Sequence, residues 1–135
     1  MQKLTTFLMF EGKAKEALDF YTSLFEKSRI LDITYYGPDD VGKEGTVKHA
    51  TFSLSGQEFM CIDSSIEHGF TFTPSMSIYV NCESEEEIDR LFEKLARAGQ
   101  VLMPLDHYPF SEKFAWVSDQ FGVSWQLNLA KKPLA

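Results

Sequence analysis

The chain has 135 residues, of which 44% are hydrophobic and 14% aromatic, and its formal net charge is −7 at pH 7. This composition supplies a core for one compact domain and excludes an intrinsically disordered chain. The negative charge disfavours nucleic acid and anionic membranes as partners, because both are bound through clustered Lys and Arg side chains.

Neither an export signal nor a membrane anchor is predicted. The first residues, MQKL, are not followed by an apolar region with a small-residue cleavage site, and no later apolar run has the length of a membrane span. A soluble cytoplasmic protein is therefore expected. Cys61 and Cys82 have no CxxC spacing, so we expect reduced thiols rather than a disulfide.

The first half of the chain predicts a strand, a helix and three further strands. In chain order these elements cover residues 4–10, 13–25, 29–36, 47–55 and 58–62. The helix has an amphipathic stripe that includes Ala17, Leu18 and Tyr21. Alternation along the strand at 29–36 predicts a half-buried strand, with Leu31, Ile33 and Tyr35 on one face and Asp32 and Thr34 on the other.

Residues 37–46 connect the second and third of these strands. They contain Gly42 and Lys43 but lack the spacing and the strand-to-helix context of a phosphate-binding loop. A mobile connection or lid is predicted, with an ordinary solvated turn as the alternative.

The second half of the chain repeats the same order. A strand at 75–80 leads to a capping box of Ser84 and Glu87 that predicts the start of a helix, and Gly99 predicts its end. Further strands are predicted at 100–105, 114–117 and 123–129, with a long loop at 106–113 and a tight turn at 119–122. The order strand, helix and three strands thus occurs in residues 1–66 and again in residues 70–135, which predicts a pseudo-twofold domain.

Three segments carry a resemblance to a known family. They are WVSDQFGVSWQLNL at 116–129, AKEALDFYTSLF at 14–25 and SMSIYVNCESEEEIDRLFEKLARAGQ at 75–100. Together with the doubled order of elements, they resemble the PhnB-like family of the vicinal oxygen chelate superfamily, which also contains glyoxalase I, bleomycin-resistance proteins and extradiol dioxygenases. The resemblance implies an α+β fold in which two tandem βαβββ modules form an open curved sheet or half-barrel around a cleft, completed in a homodimer.

Members of this family often carry the label 3-demethylubiquinone-9 3-methyltransferase. Methyl transfer from S-adenosylmethionine normally uses a glycine-rich turn after a first parallel strand, and the sequence has no such motif. No cofactor is therefore expected.

Strand alternation locates the cleft of such a fold. In each module one face of the sheet packs on the helix, so the apolar sets mark the helix side: Ala50, Phe52, Leu54, Met76, Ile78, Val80, Trp125, Leu127 and Leu129. The opposite face and the neighbouring aromatic residues predict a small-molecule site that comprises Thr51, Ser53, Met60, Ser75, Ser77, Tyr79, Phe114, Trp116, Ser124, Gln126 and Asn128. The alternatives are that this face is solvated or is covered by a dimer partner.

The resemblance also implies four positions at which superfamily enzymes hold a divalent metal, on the first and last strands of each module. In this chain the matching residues are Thr5, Met60, Ser75 and Gln126. Only Gln126 is a plausible ligand, and the set contains no anionic donor, so no metal site is expected.

The histidines suggest one candidate base. His68 and His107 are predicted in surface connections, whereas His49 points to the predicted cleft, where it is a candidate general base with Glu58 as an acidic neighbour. The alternative is a hydrogen-bonded strand histidine without a catalytic role.

Three functional hypotheses remain open from the sequence. The first is a metal-free protein that binds a small, partly aromatic ligand. The second is an enzyme acting on a small metabolite through His49 or a metal near Gln126. The third is a domain that works through its dimer surface.

Overall fold

The doubled order of elements is present in the computed structural model, which describes residues 2–132. The ends of the two predicted modules, Met1 and residues 133–135, lie outside this range. The elements are β1 (Thr6–Phe10), α1 (Ala14–Leu24), β2 (Arg29–Tyr35), β3 (Val47–Leu54), β4 (Gln57–Asp63), β5 (Ile78–Cys82), α2 (Glu85–Ala96), β6 (Gln100–Tyr108), β7 (Ser111–Ser118) and β8 (Ser124–Leu129). The predicted α+β class with two βαβββ modules is confirmed.

The chain divides into two compact units after Gly69, and each unit contains one sheet with the same topology. Unit 1 has the strand order β1-β4-β3-β2 and unit 2 the order β5-β8-β7-β6. In each sheet the first and last strands of the unit pair in parallel, and the remaining pairs are antiparallel. Among residues 2–132, no helix has the length and apolar character needed to cross a bilayer.

In unit 1 the apolar stripe of α1 covers one face of the sheet. Leu18 and Tyr21 are each 1% exposed, and they share this core with Phe52, whose ring stacks on Phe59 at a centroid distance of 5.4 Å. The hairpin between β3 and β4 is closed by Ser55 and Gly56 at positive φ, the conformation that a two-residue turn of matching twist requires.

The carboxylate of Asp63 ties three parts of unit 1 together. It is 1% exposed and accepts hydrogen bonds from the backbone N–H groups of Gly12, Ala14 and Val47 at 2.7, 3.0 and 2.9 Å. The beginning of α1, the beginning of β3 and the end of β4 therefore share one acceptor. Because α1 has no side-chain cap of its own at Lys13, Asp63 performs this role from a distant strand.

Two details of unit 1 differ from the sequence prediction. Leu31, Ile33 and Tyr35 were predicted together on the apolar face of β2, and this was wrong for Leu31 and Tyr35, which are 36% and 44% exposed, whereas Ile33 is only partly exposed. The register of β2 against β3 shifts between Ile30 and Asp32 and again after Thr34, and each shift reverses the alternation of faces.

The connection at 37–46 is hydrogen-bonded back on itself. The N–H of Gly45 donates to the carbonyl of Tyr36 at 3.0 Å, and the N–H of Gly37 donates to Asp40 Oδ2 at 2.7 Å. Gly42 lies so close to the ring of Tyr36 that a Cβ atom there would come within 2.4 Å of it. The absence of a side chain at Gly42 thus allows the loop to cover this ring.

In unit 2 the predicted capping box is confirmed. The N–H of Glu87 donates to Ser84 Oγ at 3.1 Å, and Glu87 Oε1 accepts from the N–H of Glu83 at 2.7 Å. Both bonds satisfy donors near the start of α2. From there the helix presents Ile88 and Leu91, both 0% exposed, to the sheet.

The end of α2 depends on a close approach of backbones. The helix ends at Ala96, and Ala98 takes the positive φ of 59°. Gly99 allows a close approach of two backbone segments, because a Cβ atom there would lie 2.2 Å from the carbonyl oxygen of Ser118. Only glycine allows the chain to pass between α2 and β7 at this distance.

The start of β5 was predicted too early. The strand begins at Ile78, and the preceding residues form a turn in which the N–H of Met76 donates to the carbonyl of Thr73 at 3.4 Å. Pro74 occupies the second position of this turn, where its fixed φ is favourable. Ser75 therefore lies in the turn, and the prediction that Met76 packs on the helix side is wrong, because Met76 is 79% exposed.

The predicted loop at 106–113 was also wrong. β6 continues to Tyr108, a tight turn follows at Pro109 and Phe110, and β7 begins at Ser111. The prediction ended the strand at Leu105, whereas β6 continues beyond it with register shifts against β7 on both sides of Asp106. An edge strand with register shifts accommodates Pro104, and β6 has both features.

Candidate functional site

The face of the unit 2 sheet opposite α2 gathers most of the residues predicted for the site in this unit; we call it the open face of unit 2. Trp125 and Leu127, both 0% exposed, face α2, so the alternate residues of β8 lie on the other side. The strand register extends this face across three strands. Its members among the predicted residues are Ser77, Tyr79, Phe114, Trp116, Ser124, Gln126 and Asn128.

Gln126 is at the centre of this face. It pairs with Tyr79 of β5 on one side and with Trp116 of β7 on the other. One step further along the strands, Asn128 pairs with Asn81 and with Phe114. An amide is thus flanked by two large aromatic side chains, one of which, Tyr79, is 51% exposed.

A chain of hydrogen bonds links the polar groups at one end of the open face. The indole N–H of Trp116 donates to Ser124 Oγ at 2.8 Å. Ser124 Oγ lies 2.7 Å from Ser77 Oγ, and Gln126 Nε2 donates to Ser77 Oγ at 3.2 Å. Ser124 is 1% exposed, whereas the other three side chains are partly exposed. The chain therefore runs from a buried hydroxyl to the surface.

Aromatic rings form the other end of the open face. The ring of Phe114 is 4% exposed and lies 6.4 Å from Tyr79, 6.0 Å from Tyr108 and 5.0 Å from Phe110, centroid to centroid. Tyr108 and Phe110 were not among the predicted site residues, because a loop was predicted where they lie. Asp106 and His107 interrupt the apolar pattern before Tyr108, so no local signal in the sequence marked the longer strand.

Asn128 and Ser111 bond within the sheet. Ser111 is 1% exposed, and its hydroxyl lies 2.6 Å from Asn128 Oδ1, while Asn128 Nδ2 donates to Asn81 at 3.3 Å. The amide of Asn128 thus has partners on both of its polar atoms and holds the three strands in register.

The turn between β7 and β8 is organised by Asp119, which is 3% exposed. Its Oδ1 accepts from the N–H groups of Phe121 at 2.8 Å and Val123 at 3.0 Å, and its Oδ2 accepts from Trp125 Nε1 at 2.8 Å. Gly122, with φ of 92°, completes the predicted tight turn. This turn fixes where Ser124 enters the sheet.

Unit 1 has its own face opposite α1, the open face of unit 1. His49 and Thr51 alternate with buried Ala50 and Phe52, which places them on this face. The register adds Ser53 and its partner Glu58, and Met60 as the partner of Thr51.

The predicted neighbourhood of His49 is incorrect. Glu58 pairs with Ser53, which is four residues from His49 along β3, a separation of about 13 Å at the usual strand rise. The neighbouring ring is that of Phe7, with a centroid distance of 6.4 Å to the imidazole. Glu58 therefore does not lie beside His49, and a proton relay between the two is not formed.

Phe7 belongs to an apolar stripe on β1 that was not among the predicted site residues. Phe7 and Met9 alternate with buried Leu8 and Phe10 in β1, and they pair with Met60 and Ile62 of β4. The alternation within residues 4–10 was the available signal. The open face of unit 1 is apolar near β1 and polar near β2.

The four positions predicted for a superfamily metal carry weak donors. The pair Phe7 and Met60 in unit 1 corresponds by topology to the pair Tyr79 and Gln126 in unit 2. The position matching Thr5 is therefore Ser77 rather than Ser75, and the set remains hydroxyls, a thioether and an amide. Such a set does not fit a divalent ion, which requires carboxylates or imidazoles. Within residues 2–132, no group of three or more His, Cys, Asp or Glu side chains is arranged to hold a metal.

The other histidines and the two cysteines have local surroundings of their own. His68 Nε2 is 2.6 Å from Ser64 Oγ, and His107 Nδ1 bonds to the carbonyl of Glu112. Cys61 and Cys82 are buried and are not disulfide-bonded. Burial raises the pKa of each thiol from 9.0 to about 12, so neither is a nucleophile at neutral pH.

A surface cavity of 210 Å³ lies elsewhere in unit 1. Its lining consists of Glu11, Gly12, Lys43, Thr46, Ser64, Ser65, Ile66 and Glu67. None of the residues predicted for the site contributes to it.

Comparison with known proteins gives consistent matches over nearly the whole chain. The model of the family described as 3-demethylubiquinone-9 3-methyltransferase matches residues 2–128. A solved Bacillus cereus structure, described as a putative 3-demethylubiquinone-9 3-methyltransferase, PhnB protein, is 67% identical, covers 96% of this chain and 100% of its own, and has a TM-score of 0.94. Protein YjdN of Escherichia coli K12 is 21% identical over an alignment of 142 residues, which covers 96% of this chain and 96% of its own.

A more distant structure shares the fold alone. The glyoxylase/bleomycin resistance protein/dioxygenase domain from Frankia sp. EAN1pec is 17% identical, covers 97% of this chain and 98% of its own, and has a TM-score of 0.67.

Proposed function

Since this chain belongs to the 3-demethylubiquinone-9 3-methyltransferase family of PhnB-like proteins, we propose that it binds a small, partly aromatic molecule without a bound metal. The binding residues are those of the open face of unit 2, with Tyr79, Trp116 and Gln126 in direct contact with the ligand. For unit 1, taken by itself, we propose that Thr51, Ser53 and Met60 on its open face also bind a ligand.

One observation carries this proposal. The partly exposed amide of Gln126 has an aromatic side chain on each side, and it ends a hydrogen-bond chain that begins at a buried hydroxyl. Small-molecule sites combine apolar walls with a few fixed polar groups, because the walls supply affinity and the polar groups supply orientation. A solvated sheet face does not need such a fixed arrangement.

The donor chemistry supports the metal-free part of the proposal. The positions at which a superfamily metal would be held carry Thr5, Ser77, Met60 and Gln126, and none of these supplies negative charge. Gln126 instead has a hydrogen-bond partner of its own in Ser77.

Binding is better supported than catalysis. The candidate base His49 has Phe7 as its ring neighbour and no carboxylate of the predicted pair beside it. The methyltransferase description of the relatives would call for a site for S-adenosylmethionine. In each unit the helix connects two strands at opposite edges of the sheet, which differs from the adjacent parallel strands of the dinucleotide-binding fold.

The proposal is tested by ligand-observed NMR with a set of uncharged aromatic fragments. The variant Tyr79→Ala should weaken the fragments that bind by about fivefold or more, since one aromatic contact contributes about 1 kcal/mol. Tyr35→Ala is the matched control, because Tyr35 is 44% exposed, close to the 51% of Tyr79, but belongs to β2 of unit 1. Equal losses in the two variants, or no bound fragment at all, would refute the proposal.

We also propose that the protein is a homodimer in the cytoplasm. Large apolar side chains exposed in both units support an association, among them Leu4 at 81% and Met76 at 79%. Two buried thiols that form no disulfide support a reducing compartment. Sedimentation equilibrium tests the first part, with a monomer at micromolar concentration as the contradicting result, and fractionation of the source cells tests the second.

A further inference from the structure

In the hydrogen-bond chain from Trp116 to Gln126, the positions of the hydrogens determine which polar group remains available to bond to a ligand. The indole N–H of Trp116 is a donor only, so Ser124 Oγ must accept this bond. One hydrogen lies between Ser124 and Ser77, whose oxygens are 2.7 Å apart. Either hydroxyl could donate this hydrogen. The two arrangements, Ser124 donating to Ser77 or Ser77 donating to Ser124, differ in free energy.

Burial selects the arrangement. If Ser77 donated to Ser124, the hydrogen of Ser124 would need another acceptor. Among residues 2–132 its hydroxyl has only Trp116 and Ser77 as side-chain partners, and it is 1% exposed to water. A buried donor without an acceptor is costly, so Ser124 donates to Ser77.

Ser77 is thereby left with an outward hydrogen. Its oxygen accepts from Ser124 and also from Gln126 Nε2 at 3.2 Å. Both lone pairs are used, and its own O–H remains available at a partly exposed position. The open face of unit 2 thus offers a fixed hydroxyl donor beside Gln126.

The surroundings of this donor are uncharged. The positions that the register places around Gln126 are Tyr79, Trp116, Ser124, Asn81, Asn128 and Phe114. No Lys or Arg stands among them to offset the desolvation of an anionic ligand, and the whole chain carries −7. Tyr79 and Trp116 flank the amide and offer flat apolar surface.

We propose that the ligand is an uncharged compound with a flat ring and a carbonyl oxygen attached to it, and that this oxygen accepts the hydrogen bond from Ser77. The ring lies against Tyr79 and Trp116. This proposal rests on the function proposed above and defines the chemical class of the ligand for the same site. Ser77 selects the carbonyl group. The side chains of Tyr79 and Trp116 bind the flat ring of the ligand whether or not a carbonyl is attached to it.

Three bicyclic probes test the proposal: 1-tetralone has the ring and a carbonyl, tetralin has the ring alone, and 1-naphthoate carries a negative charge. Dissociation constants are measured by titration followed in ¹H–¹⁵N correlation spectra, in which the side-chain signals of Trp116 and Gln126 report the site. We expect 1-tetralone to bind about tenfold more tightly than tetralin, as one hydrogen bond provides, and 1-naphthoate to bind most weakly.

Two serine variants locate the selecting group. Ser77→Ala should abolish the preference for 1-tetralone over tetralin. Ser75→Ala is the matched control, because this exposed serine bonds to Thr73 at 2.7 Å in the turn before β5 and should keep the preference. If Ser77→Ala does not fold, Trp116→Phe, which removes the donor that orders the chain, should reduce the same preference.

The outcomes separate this proposal from the function on which it rests. Equal affinity for 1-tetralone and tetralin, or a preference that survives in Ser77→Ala, overturns the carbonyl class while leaving small-molecule binding in place. Tightest binding of 1-naphthoate also overturns it. If no probe shifts the signals of Trp116 or Gln126, the proposed function fails together with the ligand class.

Discussion

Replacement of Asp119 by Asn tests how the turn between β7 and β8 is held. The carboxylate is 3% exposed and accepts from the backbone N–H groups of Phe121 and Val123 through Oδ1, and from the indole N–H of Trp125 through Oδ2. Asparagine keeps one acceptor oxygen, which we expect to remain on the two backbone donors. Its NH₂ group would then face the indole N–H of Trp125, donor against donor.

The magnitude follows from these contacts. The bond from Trp125 Nε1 to Asp119 Oδ2 is 2.8 Å long, and Trp125 is 0% exposed. Loss of a hydrogen bond to a charged acceptor costs about 1.5–3 kcal/mol, and burying two opposed donors adds to it, so we expect about 3 kcal/mol in total. The two backbone bonds to Oδ1 would also weaken, because the acceptor becomes neutral.

Urea unfolding followed by circular dichroism measures this loss in the free energy of unfolding. A double-mutant cycle isolates its cause: in the background Trp125→Phe, which lacks the indole N–H, Asp119→Asn should cost only about 1 kcal/mol. Asp39→Asn, at an exposed position of the loop at 37–46, is the control and should change stability by less than about 0.5 kcal/mol. Equal costs of Asp119→Asn in both backgrounds would refute the reasoning.

Three further predictions concern stability. Asp63→Asn should cost about 2 kcal/mol in urea unfolding, because three backbone N–H groups lose a charged acceptor, and a loss below about 0.5 kcal/mol would contradict this. Gly99→Ala should cost about 2 kcal/mol or more in thermal unfolding, since its Cβ would lie 2.2 Å from the Ser118 carbonyl oxygen, and unchanged stability would disprove the close approach. Burial raises the pKa of Cys61 and Cys82 to about 12, so the folded state keeps protons that the unfolded chain releases above pH 9.0, and stability falls as the pH rises from there toward about 12. The double variant Cys61→Ala/Cys82→Ala should show a shallower fall in melting temperature over this range, and parallel curves would count against the assignment.

The order of the elements and the two faces of most strands followed from the sequence because these are local properties. Alternation along β3 and β8 gave the correct buried sets, and the hydrogen-bond chain confirms that Ser77, Ser124 and Gln126 are neighbours. β8 pairs in regular register with both of its neighbours and β3 does so with β4, so a period of two residues was sufficient to describe these faces.

The failures arose where pairing with another strand overrides the local pattern. Register shifts in β2 turned Leu31 outward, and β6 continues beyond Leu105 with register shifts against β7. The separation of His49 from Glu58 depends on the register between β3 and β4, which alternation alone does not fix. Tyr108 and Phe110 were missed for the same reason, since they join the aromatic cluster only if β6 and β7 form a tight hairpin.

The irregular edge of unit 2 has a consequence for aggregation. A foreign strand can dock on a sheet only where N–H and C=O groups project outward at a regular spacing. β6 interrupts that spacing with three register shifts and with Pro104, which has no N–H to offer. We therefore expect the β6 edge to resist the addition of strands from other molecules that begins amyloid fibrils. Its nine residues would otherwise be long enough to pair with such a strand.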